Sequence, residues 1–270
     1  MATVNVSTWA ELTAAITGAT ENTDINLTSD IDLNVEIEDT HEITTTTKGT
    51  NYNITIYGNN HKISNIYSKS AISAVFQGYS TSKKLRFEDT TFENVYLSYT
   101  TSTSTAPTLA KNTDLYRCQF SAEIAMSARL FGSDVYLSQC GGTATGSGEG
   151  NAYVNSSQNT FEFSNIELYG KWRYVSIALK NSYLGGDFEQ IGTGTNTGLI
   201  FGSSYLATIN ATIVSDKNPQ ADNAKLLLAN SETWSKSDSS TVTFPSTMIP
   251  LTTTQLQSRT ELRNIGYPVL

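Results

Sequence analysis

Short runs in which hydrophobic and polar residues alternate constrain the fold of this chain more than any other feature. Three examples are Ile25-Asn26-Leu27, Ile54-Thr55-Ile56 and Leu85-Arg86-Phe87. Alternation with a period of two is typical of strands that bury one face. The segments between the runs show almost no helical periodicity, so we expect no parallel sheet with helical crossovers.

Seven of these runs align as an irregular repeat, with first residues about 23.5 residues apart on average. The first residues are Leu85, Leu115, Val135, Phe161, Ile177, Ile200 and Leu226. The residue four positions after each of them is polar, and we expect it to lie at a bend and to stack on its counterparts in neighbouring coils. Because parallel crossovers are right-handed by strong preference, the sequence predicts an all-β, single-stranded right-handed parallel β-helix.

Caps are expected at both ends, because a solenoid otherwise exposes its core and its strand edges. Residues 1–22 are predicted to be an N-terminal capping segment, 23–250 the parallel β-helix, and 251–270 a C-terminal cap or attachment segment. The C-terminal segment is rich in residues that favour helices.

The N-terminal cap is predicted to contain a short helix. Trp9, Leu12 and Ile16 have helical spacing, and Thr8 with Glu11 fits a capping box before them. A glycine then ends the apolar pattern.

The composition counts against several classes of function. The net charge is −8, whereas a nucleic-acid groove needs a basic stripe. The only cysteines, Cys118 and Cys140, form no CxxC motif, and we expect both thiols to be buried. With two histidines in the chain, His- and Cys-based metal or triad chemistry is improbable. The negative charge and the small number of histidines and cysteines lead us to expect no nucleic-acid partner and no cofactor. We find no signal peptide and no apolar stretch of membrane-spanning length, so we also expect no membrane contact.

The first third of the chain resembles the pectate-lyase-like family of right-handed parallel β-helix proteins. The resemblance rests on Trp9-Ala10-Glu11-Leu12, on residues 25–33 and on Ile54-Thr55-Ile56-Tyr57-Gly58-Asn59-Asn60-His61. The closing segment, Leu262-Arg263-Asn264-Ile265-Gly266-Tyr267-Pro268-Val269, is similar to the ends of β-helix proteins encoded by phages and prophages. These resemblances imply a structural protein of a virus particle and no catalytic residues.

An aromatic and basic segment is the strongest candidate for a binding surface. It comprises Tyr169, Lys171, Trp172, Arg173 and Tyr174. Aromatic rings beside cations can stack on sugar rings and hydrogen-bond to their hydroxyls. The same residue types are enriched in subunit interfaces, so we predict either a binding surface or an interface here.

Acidic residues close together in sequence are weaker candidates for catalysis. Asp187 and Glu189 would share one face of a strand, where they could bind a cation or act as acid and base. Glu88, Asp89 and Glu93 form a second acidic group. Glycoside hydrolysis needs two carboxyl groups at a defined separation, and a solvated turn explains the first pair more simply. We therefore predict that the protein is not an enzyme.

These observations favour a structural or adhesive component of a bacteriophage particle, such as a head fibre, a decoration protein or a tail-associated appendage. We expect it to be made in the host cytoplasm and to reside in the virion. Its partners would be other virion proteins, further copies in a trimer or dimer, and host surface glycans. Two alternatives are a receptor-binding or polysaccharide-degrading tail spike and a bacterial surface adhesin.

Overall fold

The structure is a computed structural model of a chain built mainly of strands. It describes residues 1–36, 42–70, 72–97, 107–124, 130–131, 135–146, 161–173, 177–180, 182–189, 199–201, 205–215, 226–229, 234–236, 238–244, 246, 248–252, 254–255 and 258–265. The helices of at least four residues in this part are α1 (Trp9–Thr17), α2 (Leu33–Glu36) and α3 (Arg259–Asn264).

Short strands alternate with turns along the described chain. In order they are β1 (Ala2–Val6), β2 (Thr23–Leu27), β3 (Ile31–Asp32), β4 (Thr47–Lys48), β5 (Ile54–Tyr57), β6 (Lys62–Ser64), β7 (Tyr67–Ser68), β8 (Phe76–Gln77), β9 (Leu85–Glu88), β10 (Thr91–Leu97), β11 (Ala110–Lys111), β12 (Thr113–Tyr116), β13 (Gln119–Ile124), β14 (Val135–Gly146), β15 (Phe161–Arg173), β16 (Ile177–Lys180), β17 (Ser182–Glu189), β18 (Leu199–Phe201), β19 (Tyr205–Ser215), β20 (Leu226–Ala229), β21 (Trp234–Lys236) and β22 (Met248–Pro250).

The pairings among these strands are parallel, and most of them fall into three rows. Further parallel pairings join β7 to β10, β16 to β15 and β18, and β20 to β19 and β22. The first row runs β1–β2–β5–β9–β12–β14, and the second runs β3–β6–β10–β13–β14–β15–β17–β19–β21. The third row is a separate sheet, β4–β8–β11. The prediction of a strand-dominated chain with parallel sheets is confirmed, and this arrangement is consistent with a β-helix-like fold.

The core is formed by the inward-facing residues of all three rows. Ile25, Ile56 and Phe87 are register partners in the first row, and each is completely buried. Phe76 of the third row and Phe92 of the second row pack edge-on or tilted against Phe87 and against each other, with centroids 4.8 to 6.0 Å apart. One interior thus serves the three rows.

Helix α1 forms where the sequence predicts it and packs beside β4 at the end of the third row. Leu12 and Ile16 are fully buried, and the ring of Trp9 meets Phe76 edge-on with centroids 5.6 Å apart. The helix therefore covers apolar core that the third row would otherwise leave exposed. Strand β1 precedes this helix and pairs with β2, so the stack of strands already begins at Ala2.

The cap of α1 differs in one detail from the predicted capping box. The Thr8 side chain accepts a hydrogen bond from the Glu11 N–H at 3.2 Å, as expected. The Glu11 carboxylate, however, accepts from the backbone N–H of Ser7 at 2.7 Å and from its hydroxyl at 3.0 Å. These hydrogen bonds lower the pKa of Glu11, because they stabilise the ionised form.

The repeat alignment made from the sequence is wrong in register. Leu115 pairs with Phe87, whereas Leu85 pairs with Thr113, and Gln119 therefore lies opposite Thr91 instead of stacking on the bend residue of the previous coil. The alignment matched each run by its first hydrophobic residue, but Leu115 is the second buried position of its strand, and the first is the polar Thr113. The coils also vary in length, with hydrogen-bonded partners 21 residues apart near the N-terminus and 31 apart one coil later.

A ladder of polar side chains does form, but at a different bend. The Asn65 amide donates to the Asp32 carboxylate at 2.7 Å, and the Asn94 amide donates to the Asn65 side-chain oxygen at 3.1 Å. Asn65 and Asn94 have φ values of 58° and 53°, in the left-handed region that asparagine tolerates better than most residues. The ladder therefore holds successive coils together where the backbone turns.

The C-terminal segment contains helix α3, in line with its helix-favouring composition. The Ser258 hydroxyl accepts from the Glu261 N–H at 3.2 Å and so caps its first turn.

Cys118 and Cys140 are both buried and neither forms a disulfide, as predicted. Burial raises the pKa of the Cys118 thiol, which keeps it protonated at neutral pH. In the described part of the chain, no helix has both the length and the apolar character needed to cross a membrane.

Close approach between coils predicts how two glycines respond to substitution. A Cβ at Gly78 would lie 2.1 Å from the backbone oxygen of Asn112, whereas at Gly49 the nearest atom is a side-chain methyl of Leu85, at 2.9 Å. We expect Gly78→Ala to lower the free energy of unfolding by about 2 kcal/mol or more, and Gly49→Ala by less, because only a side chain must yield. Urea denaturation measures both, and equal losses would contradict the close approach at Gly78.

Candidate functional site

The predicted aromatic and basic segment lies mostly on β15. Tyr169, Lys171, Trp172 and Arg173 are part of this strand. Tyr174 lies outside the described residues. The prediction that these residues form a binding or interface surface stays a prediction.

The structure brings this segment and the predicted acidic pair together. Strand β15 pairs with β17 so that Lys171 is the register partner of Asp187 and Arg173 that of Glu189. Residues of opposite charge are therefore register partners at two positions of this strand pair. The sequence analysis treated the two groups as separate, although they belong to adjacent coils.

Tyr169 also continues a line of register partners that begins far earlier in the chain. The line runs Tyr67, Tyr96, Glu123, Thr145 and Tyr169, one residue from each of β7, β10, β13, β14 and β15. We call these five residues the tyrosine column. It lies on one face of the second row and crosses five coils.

The first two rings of the tyrosine column are stacked. The Tyr67 and Tyr96 ring centroids are 5.4 Å apart, with an angle of 18° between the ring planes, and both side chains are half-buried. The Lys69 ammonium lies 6.0 Å from the Tyr67 ring centroid and 3.8 Å from a carboxylate oxygen of Glu42. The next partner, Glu123, is exposed. The rings are thus held by packing on one side and reach solvent on the other.

A second polar cluster lies at the corner between the first and second rows. Arg117 makes a two-pronged hydrogen bond to the Asp89 carboxylate, with one N–O distance of 2.6 Å. Its guanidinium also lies 4.2 Å from the Tyr116 ring centroid. The Arg86 guanidinium lies 5.2 Å from the same centroid and forms an ion pair with Glu88. Asp89 and Arg117 have φ values of 49° and 50°, so this cluster fixes two successive coils at a strained bend.

The carboxylates of Glu88 and Asp89 both lie beside the Arg117 guanidinium, whereas Glu93 pairs with Lys62. Glu93 accepts from the Lys62 ammonium at 2.8 Å, while Asp89 is held by Arg117. Arg117 lowers the pKa of the Asp89 carboxyl, whereas a general acid needs a raised pKa. Among the described residues, no group of three or more His, Cys, Asp or Glu side chains could hold a metal ion.

The sequence analysis missed the stacked tyrosines, although a signal for them exists. Asn65-Ile66-Tyr67 and Asn94-Val95-Tyr96 repeat one pattern, and the two asparagines are 29 residues apart. The alignment of the hydrophobic runs began at Leu85 and therefore did not include the first of these triplets. A search for repeated polar–apolar–tyrosine triplets would have found both residues.

Residues 3–118 match the family model described as "Putative pectate lyase-like adhesive domain". The match covers less than half of the chain, and it includes the stacked tyrosines and the cluster around Arg117. It bears out the resemblance of the N-terminal third to pectate-lyase-like proteins, and its description names an adhesive domain with no reference to a phage particle. The chain has no match among curated proteins or among solved structures.

The ion pair at Asp89 predicts a pH dependence of stability. Asp89 has a lowered pKa, so its interaction with Arg117 stabilises the fold above the unfolded-state pKa of about 4 and is lost as the pH falls through the folded-state pKa. We expect Asp89→Asn to cost about 0.5 to 1 kcal/mol at pH 7, because the pair is partly exposed, and progressively less below pH 4. Asn also tolerates the left-handed backbone, so the substitution removes the charge and one of the two hydrogen bonds to Arg117 without straining the bend.

Thermal unfolding of the two proteins across this pH range is the measurement. Asp24→Asn, on β2, is the matched control. A difference between Asp89→Asn and the original chain that is the same at pH 3 and pH 7 would contradict the assignment.

Proposed function

We propose that this chain is a non-catalytic adhesive domain that binds a surface polymer on a single-stranded right-handed parallel β-helix scaffold. The observation that carries the proposal is the arrangement of charge on the described faces. The carboxylates of Glu42 and Glu93 lie against lysines, and those of Glu88 and Asp89 at the corner lie against arginines. Such a surface is suited to hold a ligand and is poorly suited to transfer protons.

Binding is supported by the presentation of the tyrosines. A tyrosine combines a large apolar ring with a polar hydroxyl and loses few degrees of freedom when it is bound. The stacking of Tyr67 on Tyr96 restricts both rings before any ligand arrives, so that less conformational entropy is lost on binding. The match of residues 3–118 to an adhesive domain supports the same proposal.

Catalysis is disfavoured by the state of the carboxylates. A glycosidase needs one protonated carboxylic acid close to a second carboxylate. The Asp89 pKa is shifted in the opposite direction, and Glu93 is paired with Lys62 on the neighbouring coil. A lyase-like name for the family therefore does not transfer an activity to these residues.

A paired assay of binding and cleavage tests the proposal. The full chain is passed over immobilised neutral polysaccharides, polygalacturonate, heparin, mucin and collagen, and the same soluble polysaccharides are incubated with it and analysed for chain length and for new reducing or unsaturated ends. We expect retention on at least one polymer and no new chain ends. Accumulation of chain ends would assign an enzyme instead, and absence of retention on every polymer would overturn adhesion.

We further propose that the domain acts as part of a virus particle, alone or as a small homo-oligomer. The similarity of residues 262–269 to the ends of phage-encoded β-helix proteins supports this location. Quantitative mass spectrometry of purified particles from the source of the gene would detect the chain at a fixed copy number per particle. Its recovery from the bacterial surface and not from particles would favour the bacterial adhesin.

A further inference from the structure

We infer that Cys118 and Cys140 are the two halves of an inter-coil disulfide, which forms when the chain folds or opens locally under oxidising conditions and then links two neighbouring coils. Both thiols are buried and reduced in the structure. The inference goes beyond adhesion, because it concerns the covalent state of the scaffold and not the ligand that the scaffold binds.

The strand register places the two cysteines at equivalent positions of adjacent coils. Tyr116 is the register partner of Ser138, and Gln119 is that of Gly141. Partners are therefore 22 residues apart both before and after the cysteines, which are themselves 22 residues apart. Adjacent strands are about 4.8 Å apart, within the range of roughly 4.4 to 6.8 Å between Cα atoms that a disulfide requires.

The two side chains also point in the same direction. The Cys118 sulfur lies 3.6 Å from the carbonyl oxygen of Phe87 on the preceding coil, and the Cys140 sulfur lies 3.3 Å from that of Leu115. Since Phe87 and Leu115 are register partners, the Cys140 thiol reaches back toward the coil that contains Cys118. Burial, and then a hydrogen bond to the Cys140 side chain, raise the pKa of the Cys118 thiol, so the two sulfurs are in contact.

Burial decides when the bond can form. The attacking species is a thiolate, and the raised pKa of Cys118 disfavours the thiolate inside the closed core. The reaction therefore belongs to folding, or to a local opening of this coil, when a small disulfide such as oxidised glutathione can enter.

The reaction is a pair of thiol–disulfide exchanges. One cysteine thiolate attacks oxidised glutathione, forms a mixed disulfide and displaces one glutathione thiolate. The other cysteine thiolate then attacks the protein sulfur of the mixed disulfide and displaces the second glutathione thiolate. The two cysteines thus lose two electrons and two protons, and both are taken up by the two glutathiones.

The bond locks the coil of β12 and β13 to the coil of β14. Such a cross-link stabilises the fold mainly by restricting the unfolded chain. Cytosolic thiols are kept reduced and extracellular ones are not, so in a domain that acts outside the cell the lock is set after export or release.

Redox titration of the full chain tests the inference. The chain is incubated at stepped ratios of reduced to oxidised glutathione, both folded and in urea, and the remaining thiols are alkylated in denaturant and counted by intact mass. We expect a monomer with no alkylated cysteine, and an equilibrium constant for disulfide formation at least about tenfold higher in the folded chain than in urea, because the fold holds the thiols together. The oxidised chain should melt about 5 to 10 °C above the reduced chain.

Serine variants supply the matched controls. Thr90 occupies the equivalent position on the coil before Cys118, since partners are 28 residues apart on both sides of it, and its hydroxyl donates to the Glu88 carbonyl. Cys118→Ser places a hydroxyl in the same setting and should fold, and Cys140→Ser is the second variant. Each variant keeps one thiol, so its melting temperature should be the same in reduced and oxidised glutathione.

Four results would overturn the inference. They are two alkylated cysteines in the folded chain at every glutathione ratio, equal equilibrium constants in the folded chain and in urea, a disulfide that lowers the melting temperature, and disulfide-linked dimers as the sole oxidised product. Each of them leaves the proposed adhesion standing, because both thiols lie in the core and polymer retention is measured separately.

Discussion

The contact among Phe76, Phe87 and Phe92 is the interaction on which the rest of the structure depends. Each ring comes from a different row of strands, and all three are completely buried. Short strands of two to seven residues cannot form stable sheets alone, because each buries too little apolar surface. The shared aromatic interior ties the rows together, and the edge contact of Trp9 with Phe76 extends it to the N-terminal helix.

The strands and the N-terminal helix could be predicted from the sequence because their signals are local. Alternation identifies β5 and β9, and helical spacing with a threonine cap identifies α1. The register between coils could not be predicted in the same way. It depends on how many residues leave the stack at each turn. It also depends on buried polar residues such as Thr113, which lies opposite Leu85 and was not recognised as the start of its strand.

The candidate site shows the same limit. The segment around Lys171 and the acidic pair at Asp187 were both identifiable by composition, but nothing in the intervening residues indicated that they are register partners. The bends were harder still. A left-handed backbone at Asn65 is typical of asparagine, whereas the same conformation at Arg117 is not, and it depends on the hydrogen bonds of that side chain to Asp89. A hydrogen-bonded ion pair between residues far apart in sequence therefore stabilises a backbone conformation that arginine itself disfavours.

The variable coil length has a consequence for how such a chain can change. Partners on neighbouring coils are separated by 21 residues in one place and 31 in another, yet the strands remain parallel and paired. The additional residues lie in the turns, so the position of a residue along the stack depends on how many strands precede it and not on how many residues do. Insertions and deletions in the turns can change the exposed surface of a coil while the parallel pairing of its strands is retained. The paired strands must therefore stay regular, whereas the turns between them can vary in length and sequence.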